Sequence, residues 1–200
     1  MSDARPDYFG PSIDDHGILE RLPATLVEIL KDVNGFVVLG GGLHLRGACS
    51  TPAWHSLRRA WEGEMALHRL FKNIKEDDIP FAQDAVGDQF ILRGGQVHRL
   101  WSETGILESH DLDLEAFFSR LDIDAMALLD LGPLELFCED GQRLKPGQLL
   151  HIYPPLCTAE AEEGVDLKAV GADECILYLA ELARQLDGLQ DGTSIELIST

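Results

Sequence analysis

The sequence predicts an α+β fold in which a curved, mostly antiparallel sheet is flanked by helices and followed by a C-terminal α+β extension. Apolar residues recur at helical spacing in separate blocks, near residues 23–33, 114–131 and 173–187. Between the first two blocks the period changes to two, with glycine-containing turns between segments, which is typical of antiparallel hairpins. At 200 residues the chain is long enough to bury one core with an appended subdomain.

The first helix is predicted to begin at Pro23, because proline lacks the N–H that has no partner at a first helical position. Asn34 and Gly35 end this helix as a left-handed cap. Short strands are expected over residues 36–39 and 43–46, on either side of a turn of three glycines. This turn is followed by a strand and not by a helix, so it does not predict a phosphate-binding loop.

A helical stretch with basic side chains is predicted after Pro52, with a break at Gly63. A basic cluster this small within an acidic chain indicates a solvated face or a set of ion-pair partners, and not a nucleic-acid site. Its members are Arg58, Arg59, Arg69, Lys72 and Lys75.

Three antiparallel strands are predicted next, over residues 88–93, 96–101 and near 106–107. Gly94-Gly95 is a strong hairpin signal between the first two strands. A two-residue loop sets Leu92 opposite Val97 and Phe90 opposite Arg99, with the arginine stem over the phenylalanine ring.

The remaining elements alternate between helix and strand. Asp111 is expected to cap a helix that bends before a second piece at residues 124–131. Strands are then predicted at residues 134–138 and 149–153, followed by an acidic loop at 158–164. Asp173 is expected to cap a further helix, and a final strand is expected at residues 195–197.

These elements divide the chain into a flexible N-terminal tail over residues 1–18, a core domain over residues 19–132, and an acidic extension over residues 133–200 that packs on the core. Acidic residues outnumber basic ones by 35 to 16, which gives a net charge of −19. Such a charge repels nucleic acid and anionic membranes and accelerates encounter with a basic partner. The acidity can equally serve solubility alone.

The sequence contains no motif that predicts catalysis, a cofactor or a metal site. Its four cysteines form no CxxC pair, which favours a reducing compartment and predicts a cytoplasmic protein. Asp84 and Asp88 flank Gly87, where carboxylates serve either as an acid–base pair or as turn caps. A site assembled by folding from distant side chains, such as His98 or Cys138, remains an alternative.

Several short motifs occur in a characteristic order, and the set resembles the SUKH superfamily over about residues 19–131. This superfamily groups fungal regulators of cell-wall assembly with bacterial immunity proteins that neutralise toxins. The resemblance implies the α+β fold, no enzymatic activity, no cofactor and a protein partner such as a basic toxin or nuclease. The motifs are Leu22-Pro23, Asn34-Gly35-Phe36, Ile79–Asp84, Gly87–Phe90, Val97, Glu103-Thr104-Gly105 and Phe117-Phe118.

We interpret Asn34, Gly35, Gly87 and Asp88, which match the family pattern, as structural positions at a helix end and the start of a strand. The predicted partner-binding surface is the turn-rich side that holds Asp84, Asp88, Trp101 and Glu103, with residues 158–166 nearby. Trp101 serves either as an interface anchor or as a core residue.

Three functions follow from these patterns. The first is an immunity protein, the second a regulatory or scaffold interaction module unrelated to toxins, and the third an enzyme, a hydrolase, whose site shows no motif.

Overall fold

The computed structural model describes residues 6–139, 141–190 and 192–193. Within them, seven strands form an antiparallel sheet in which each strand pairs with the next along the chain, and two further strands form a separate antiparallel pair. The large sheet comprises β1 (Tyr8–Phe9), β2 (Phe36–Val38), β3 (Leu43–Leu45), β4 (Ile79–Asp84), β5 (Gln89–Arg93), β6 (Gln96–Trp101) and β7 (Ile106–Leu112); the pair comprises β8 (Gln148–Tyr153) and β9 (Asp166–Gly171).

Helices cover the sheet, which makes the protein an α+β fold as the sequence predicts. Within the described part of the chain, no helix combines the length and the apolar composition that crossing a membrane requires. The helices are α1 (His16–Leu19), α2 (Ala24–Asp32), α3 (Leu57–Trp61), α4 (Leu67–Leu70), α5 (Leu114–Leu129), α6 (Gly132–Glu139) and α7 (Ala172–Leu186).

The central strands of the sheet are buried on both faces, and each face has its own core, whereas the edge strand β7 is largely exposed. Successive side chains of a strand point to opposite faces, so Phe90 and Leu92 of β5 join one core while Ile91 joins the other. The first core includes residues of α2 and α5, and the second includes residues of α4 and α7. This two-sided burial explains why β4 and β5 are almost completely buried.

The C-terminal extension completes both cores. The Leu150 amide of β8 donates a hydrogen bond to the Ala85 carbonyl just after β4, at 2.8 Å. Leu150 and Ile152 belong to the first core, whereas Leu149 belongs to the second. The β8–β9 pair therefore joins the two faces at one end of the sheet, and α7 covers the second face.

The hairpin between β5 and β6 has the register that its sequence predicts. Gly94 and Gly95 both adopt positive φ, +58° and +84°, as a two-residue turn with the twist of a β-hairpin requires. Leu92 pairs with Val97, and Phe90 pairs with Arg99.

The flexible tail predicted for residues 1–18 is wrong for residues 6–18, while residues 1–5 lie outside the described part. Tyr8 pairs with Val37 as β1 joins β2. Ile18 in α1 is fully buried in the first core. The Asp15 side chain caps α1 by accepting from the Ile18 amide at 3.0 Å. Backbone pairing and one buried isoleucine order this stretch despite its polar composition.

The strand predicted at residues 134–138 is wrong, because these residues form α6. Pro133 lies in the first turn, and Leu134 and Phe137 are buried one turn apart. A five-residue apolar run fits either a buried strand or a helix. Residues 166–171, for which the sequence predicts no element, form β9. The strand predicted at residues 195–197 lies outside the described residues.

Two predicted helix caps are displaced by two residues. Asp113 caps α5 by accepting a hydrogen bond from the Ala116 amide at 2.8 Å, while Asp111 lies at the end of β7 with φ of +54°. Gly171 precedes α7, so Asp173 lies in its first turn. The predicted bend before residues 124–131 is present at Asp124, whose backbone is non-helical.

The basic side chains of α3 are ion-pair partners that connect distant elements. Arg58 pairs with Asp15 beside α1, and Arg59 reaches Asp173 of α7 at 2.7 Å. These contacts agree with the ion-pair interpretation of the basic cluster.

We predict that a chain ending at residue 132 loses cooperative folding. Without β8 and α7, Ile91 and Leu100 on the second face lose their cover, so the chain exposes apolar surface. Circular dichroism during thermal unfolding, combined with binding of a hydrophobic dye, measures this directly. A cooperative transition near that of the full chain would contradict the integration of the extension into the cores.

Candidate functional site

A cavity of about 270 Å³ lies between the end of the sheet and the C-terminal extension. One wall contains Trp101 at the end of β6 and Ile106 at the start of β7; the other contains Leu150 of β8 and Tyr178 of α7. We call this space the cleft. Its remaining lining residues are Val86, Asp88, Glu103, Thr104, Glu108, Asp130, His151, Ile152, Leu156, Cys157, Cys175 and Leu179.

A buried ion cluster forms behind the wall that holds Trp101. The Arg99 guanidinium donates from Nη2 to Asp84 Oδ2 at 2.7 Å and to Asp88 Oδ2 at 2.8 Å. It also donates to the Leu128 carbonyl of α5, at 3.3 Å. Arg99 therefore holds together the end of β4, the residue before β5 and the end of α5.

The two carboxylates of this cluster also fix the backbone around them. Asp84 Oδ1 accepts hydrogen bonds from the amides of Val86 and Asp88, at 3.1 and 3.0 Å. Asp88 Oδ1 accepts from the Ser102 amide at 2.7 Å. Between them Gly87 adopts φ of +94°, a region that favours glycine. Of the two roles considered for this pair, turn capping is the one present.

Burial raises the pKa of Asp84 well above its ordinary 3.8, and the neighbouring Asp88 carboxylate raises it further. Burial also raises the pKa of Asp88. Arg99 opposes both effects, because a nearby positive charge favours ionised carboxylates. Two carboxylates thus share one guanidinium in a region with little access to water.

The prediction that Asp84 and Asp88 lie on an exposed partner-binding surface is wrong. Their exposed fractions are 1% and 6%. Acidic residues beside a glycine turn are ordinarily solvated, but here a buried arginine supplies the compensating charge. Asp88 lines the cleft with little exposed surface, and both residues act on the site through Arg99.

Trp101 is half-buried, and its ring lies between the ion cluster and the cleft. The Arg99 guanidinium carbon is 4.0 Å from the ring centroid, within the range of a cation–π contact. The indole Nε1 donates to Glu108 Oε2 at 2.8 Å. These two contacts fix the ring while part of it lines the cleft.

Glu103 connects the core to the extension. Its two carboxylate oxygens accept hydrogen bonds from the amides of Leu156 and Cys157, at 3.0 and 2.8 Å. The sequence predicted that residues 158–166 lie near Glu103, and the contact occurs just before that range. Three of the four predicted partner-binding residues, Asp88, Trp101 and Glu103, therefore line the cleft, although Asp88 is almost completely buried.

The two thiols of the cleft are held in their neutral form. Burial and the neighbouring Glu103 carboxylate raise the pKa of Cys157 to about 12. Burial, together with surrounding carboxylates, raises the pKa of Cys175 to about 12. Because the thiolate is the nucleophilic form, neither cysteine has the environment of an activated nucleophile.

Asn34 and Gly35 lie apart from the cleft and organise the N-terminal region. The Asn34 side chain donates to the Pro11 carbonyl at 2.8 Å and accepts from the Ala48 amide at 2.7 Å. Gly35 has φ of +77° and packs against His55, so a side chain would not fit there. Both residues therefore have structural roles, as does Gly87.

A buried histidine pair near Asn34 was not foreseen from the sequence. His55 Nε2 lies 2.9 Å from the Asn34 carbonyl oxygen, and His55 Nδ1 lies 2.8 Å from His44 Nε2. Because a carbonyl only accepts, His55 donates from Nε2 and accepts from His44. Burial lowers the pKa of both histidines, so the pair is neutral and structural.

Several cleft residues were missed because their positions depend on the fold. Glu108 and Asp130 are exposed and contribute carboxylates from β7 and the end of α5. The Tyr178 hydroxyl is buried, and it forms no hydrogen bond with any described residue. His98 and Cys138, considered for a hidden enzyme site, do not line the cleft. No group of three metal-ligating side chains occurs within the residues that the structure covers.

Comparison with known proteins gives a likeness of fold. No protein-family model matches the chain, and no curated protein matches it. The chain is similar to the crystal structure of Atu4351 from Agrobacterium tumefaciens, with a TM-score of 0.52 and 12% sequence identity. The match covers 86% of this chain and 83% of that chain. It supports the α+β architecture across both the core and the extension.

We predict that Arg99→Met lowers the free energy of unfolding by about 3–5 kcal/mol, because it leaves Asp84 and Asp88 buried without a compensating charge. Denaturant unfolding monitored by circular dichroism measures the loss. Arg184→Met is the matched control, because Arg184 pairs with Glu181 at the surface, and it should leave the midpoint nearly unchanged. Equal effects of the two substitutions would contradict the role assigned to Arg99.

A second prediction concerns pH. Because the pKa of Asp84 is higher in the folded than in the unfolded state, the folded state binds more protons above pH 3.8, and raising the pH costs stability. Asp84→Asn removes this dependence while keeping an oxygen for the backbone amides. The free energy of unfolding of the wild type, minus that of Asp84→Asn, should therefore fall as the pH rises above 3.8. A difference that rises with pH would show that the folded pKa is lowered instead.

Proposed function

We propose that this protein is a non-enzymatic immunity protein that binds and neutralises a basic toxin, such as a nuclease, through the cleft between its core and its extension. The observation that carries the proposal is the composition of the cleft. Its described lining contains four carboxylates and neither lysine nor arginine. Asp88 is paired with Arg99 and Glu103 binds the extension, which leaves the exposed carboxylates of Glu108 and Asp130 for a partner. The rest of the lining is mainly apolar or aromatic.

This composition matches the general anatomy of a protein interface, in which an apolar centre is surrounded by a polar rim. Ile106 is 51% exposed and Leu156 is 44% exposed, and both belong to the lining of the cleft. Exposed apolar side chains at the mouth of a cavity are candidate contact points. Trp101, already fixed by Arg99 and Glu108, supplies an aromatic surface that needs no reordering on binding.

The charge of the whole chain supports the same partner class. A net charge of −19 attracts a basic protein over long distances and increases the rate of encounter. Nucleases carry basic surfaces because they bind phosphate backbones. The resemblance of residues 19–131 to the SUKH superfamily adds the specific role of immunity. A cytoplasmic location belongs to this proposal and is supported by the scattered, unpaired cysteines.

A low-salt pull-down from native lysate, eluted with a salt gradient and analysed by mass spectrometry, identifies the partner. Co-expression with an effector encoded beside the gene then tests protection. We expect a basic toxin or nuclease that elutes at moderate salt and whose toxicity the protein suppresses. A housekeeping partner without toxicity would instead favour the regulatory module. A partner whose binding does not depend on salt would indicate that the acidic residues serve solubility and not binding.

We predict that Glu108→Gln combined with Asp130→Asn weakens binding of this partner by at least about tenfold, or about 1.4 kcal/mol. Glutamine can still accept from Trp101 Nε1, and asparagine tolerates the left-handed backbone of Asp130, so the substitutions remove charge with little effect on the fold. The control is Glu20→Gln with Asp32→Asn, which changes the net charge equally at exposed positions outside the cleft lining.

Binding constants of the two double variants, measured by calorimetry at two salt concentrations, separate local contact from overall steering. A control variant that weakens binding as much as the cleft variant would contradict the cleft as the binding site.

A further inference from the structure

The cleft combines three features that together select a particular side chain: aromatic rings, carboxylates and an unused hydroxyl. We infer that it receives the guanidinium of an arginine side chain projecting from the partner, with Trp101 and Tyr178 as walls and Glu108 and Asp130 as counter-charges. The identity of the partner rests on the proposed function, whereas the specificity of the cleft is a property of this chain alone.

The size of the cavity favours one long side chain over a larger ligand. Its volume of about 270 Å³ lies below the roughly 300–1,000 Å³ typical of pockets for drug-sized molecules. The mouth is bordered by Ile106 and Leu156, whose apolar surface suits the methylene groups of an arginine stem. The charged end of that stem then meets the carboxylates of Glu108 and Asp130, which are exposed residues of the same lining.

The electrostatic character of the cleft favours a positive charge. The nearest arginine, Arg99, is already compensated by Asp84 and Asp88, so the ion cluster behind Trp101 does not repel a cation. Cys157 and Cys175 are held neutral, as described above. His151 packs against Tyr178, with ring centroids 4.5 Å apart. Glu108 and Asp130 are therefore the exposed charges available to an incoming group.

The Tyr178 hydroxyl is the clearest sign of an occupant. Buried polar atoms in folded proteins are nearly always hydrogen-bonded, yet the hydroxyl of Tyr178, a residue that lines the cleft, has no partner within the described ranges. Burial raises the pKa of Tyr178, which keeps the hydroxyl neutral and able to accept a hydrogen bond. Because the oxygen itself has no accessible surface, a guanidinium N–H supplies the missing donor only when the Tyr178 ring turns toward the cleft.

Arginine suits this site better than lysine. Its planar group stacks on aromatic faces and directs five N–H donors along fixed directions, whereas a lysine ammonium is a compact, strongly hydrated charge. The acceptors come from three elements: Glu108 lies on β7, Asp130 follows α5, and Tyr178 lies on α7. The guanidinium is therefore surrounded by acceptors from three directions. Several donors are needed to reach acceptors on different sides.

The test is a titration with N-acetyl-arginine methylamide, monitored by proton–nitrogen NMR. The indole N–H signal of Trp101, assigned with Trp101→Phe, reports on the cleft. N-acetyl-citrulline methylamide is the matched probe, because it has the same shape without the charge, and the corresponding lysine derivative tests the preference for guanidinium.

We expect saturable shifts of the Trp101 signal with the arginine probe, and at least about fivefold weaker binding of the citrulline and lysine probes. Glu108→Gln with Asp130→Asn should weaken binding of the arginine probe by a similar factor. Tyr178→Phe should weaken it about two- to fivefold, in line with the loss of one hydrogen bond. Glu20→Gln with Asp32→Asn should leave it unchanged.

Equal binding of the arginine and citrulline probes, stronger binding of the lysine probe, or absence of saturable shifts would overturn the inference. An apolar side chain as the natural occupant would show as preference for N-acetyl-leucine methylamide in the same titration. Because the probes need no toxin, this experiment fails or succeeds independently of the proposed function. If a toxin is captured but the arginine probe does not bind, the immunity proposal stands and the arginine site is refuted. If the probe binds but no toxin is found, the arginine site stands and the immunity proposal loses its support.

Discussion

The buried contact between Arg99 and the carboxylates of Asp84 and Asp88 is the interaction on which the rest of the site depends. A guanidinium removed from water requires compensating charge, and here two carboxylates and a backbone carbonyl supply it. These groups lie on β6, at the end of β4, before β5 and at the end of α5. Their mutual requirement fixes where these four chain segments meet.

That meeting point determines the position of Trp101 and the start of the cleft. The indole ring stacks on Arg99 and is oriented by Glu108, so an internal ion cluster sets the geometry of a partly exposed aromatic surface. The extension then docks on the same corner, through the Leu150 amide and through Glu103. The cleft is thus composite, and neither the core nor the extension forms it alone.

The distribution of charge matters more here than its total. The carboxylates of Asp84 and Asp88, on either side of Gly87, pair with the buried Arg99. They affect the long-range attraction of a basic partner only through the net charge of this cluster. Glu108 and Asp130, which are exposed and line the cleft, give the negative charge a location. General acidity would serve solubility anywhere on the surface, whereas acids around an apolar cavity also favour one class of ligand.

The sequence by itself determined the features that arise from local chemistry. Gly94-Gly95 set the turn, the turn set the register, and the register placed Arg99 opposite Phe90; the spacing of apolar residues in α2, α5 and α7 likewise predicted helices. It did not determine the secondary structure of residues 134–138, because a short apolar run fits both a helix and a buried strand. The burial of Asp84 and Asp88, the docking of the extension and the convergence of Trp101, Glu108, Asp130 and Tyr178 came only from the tertiary structure. Burial and long-range charge pairing depend on segments far apart in the chain, and local spacing carries no information about which of them will meet.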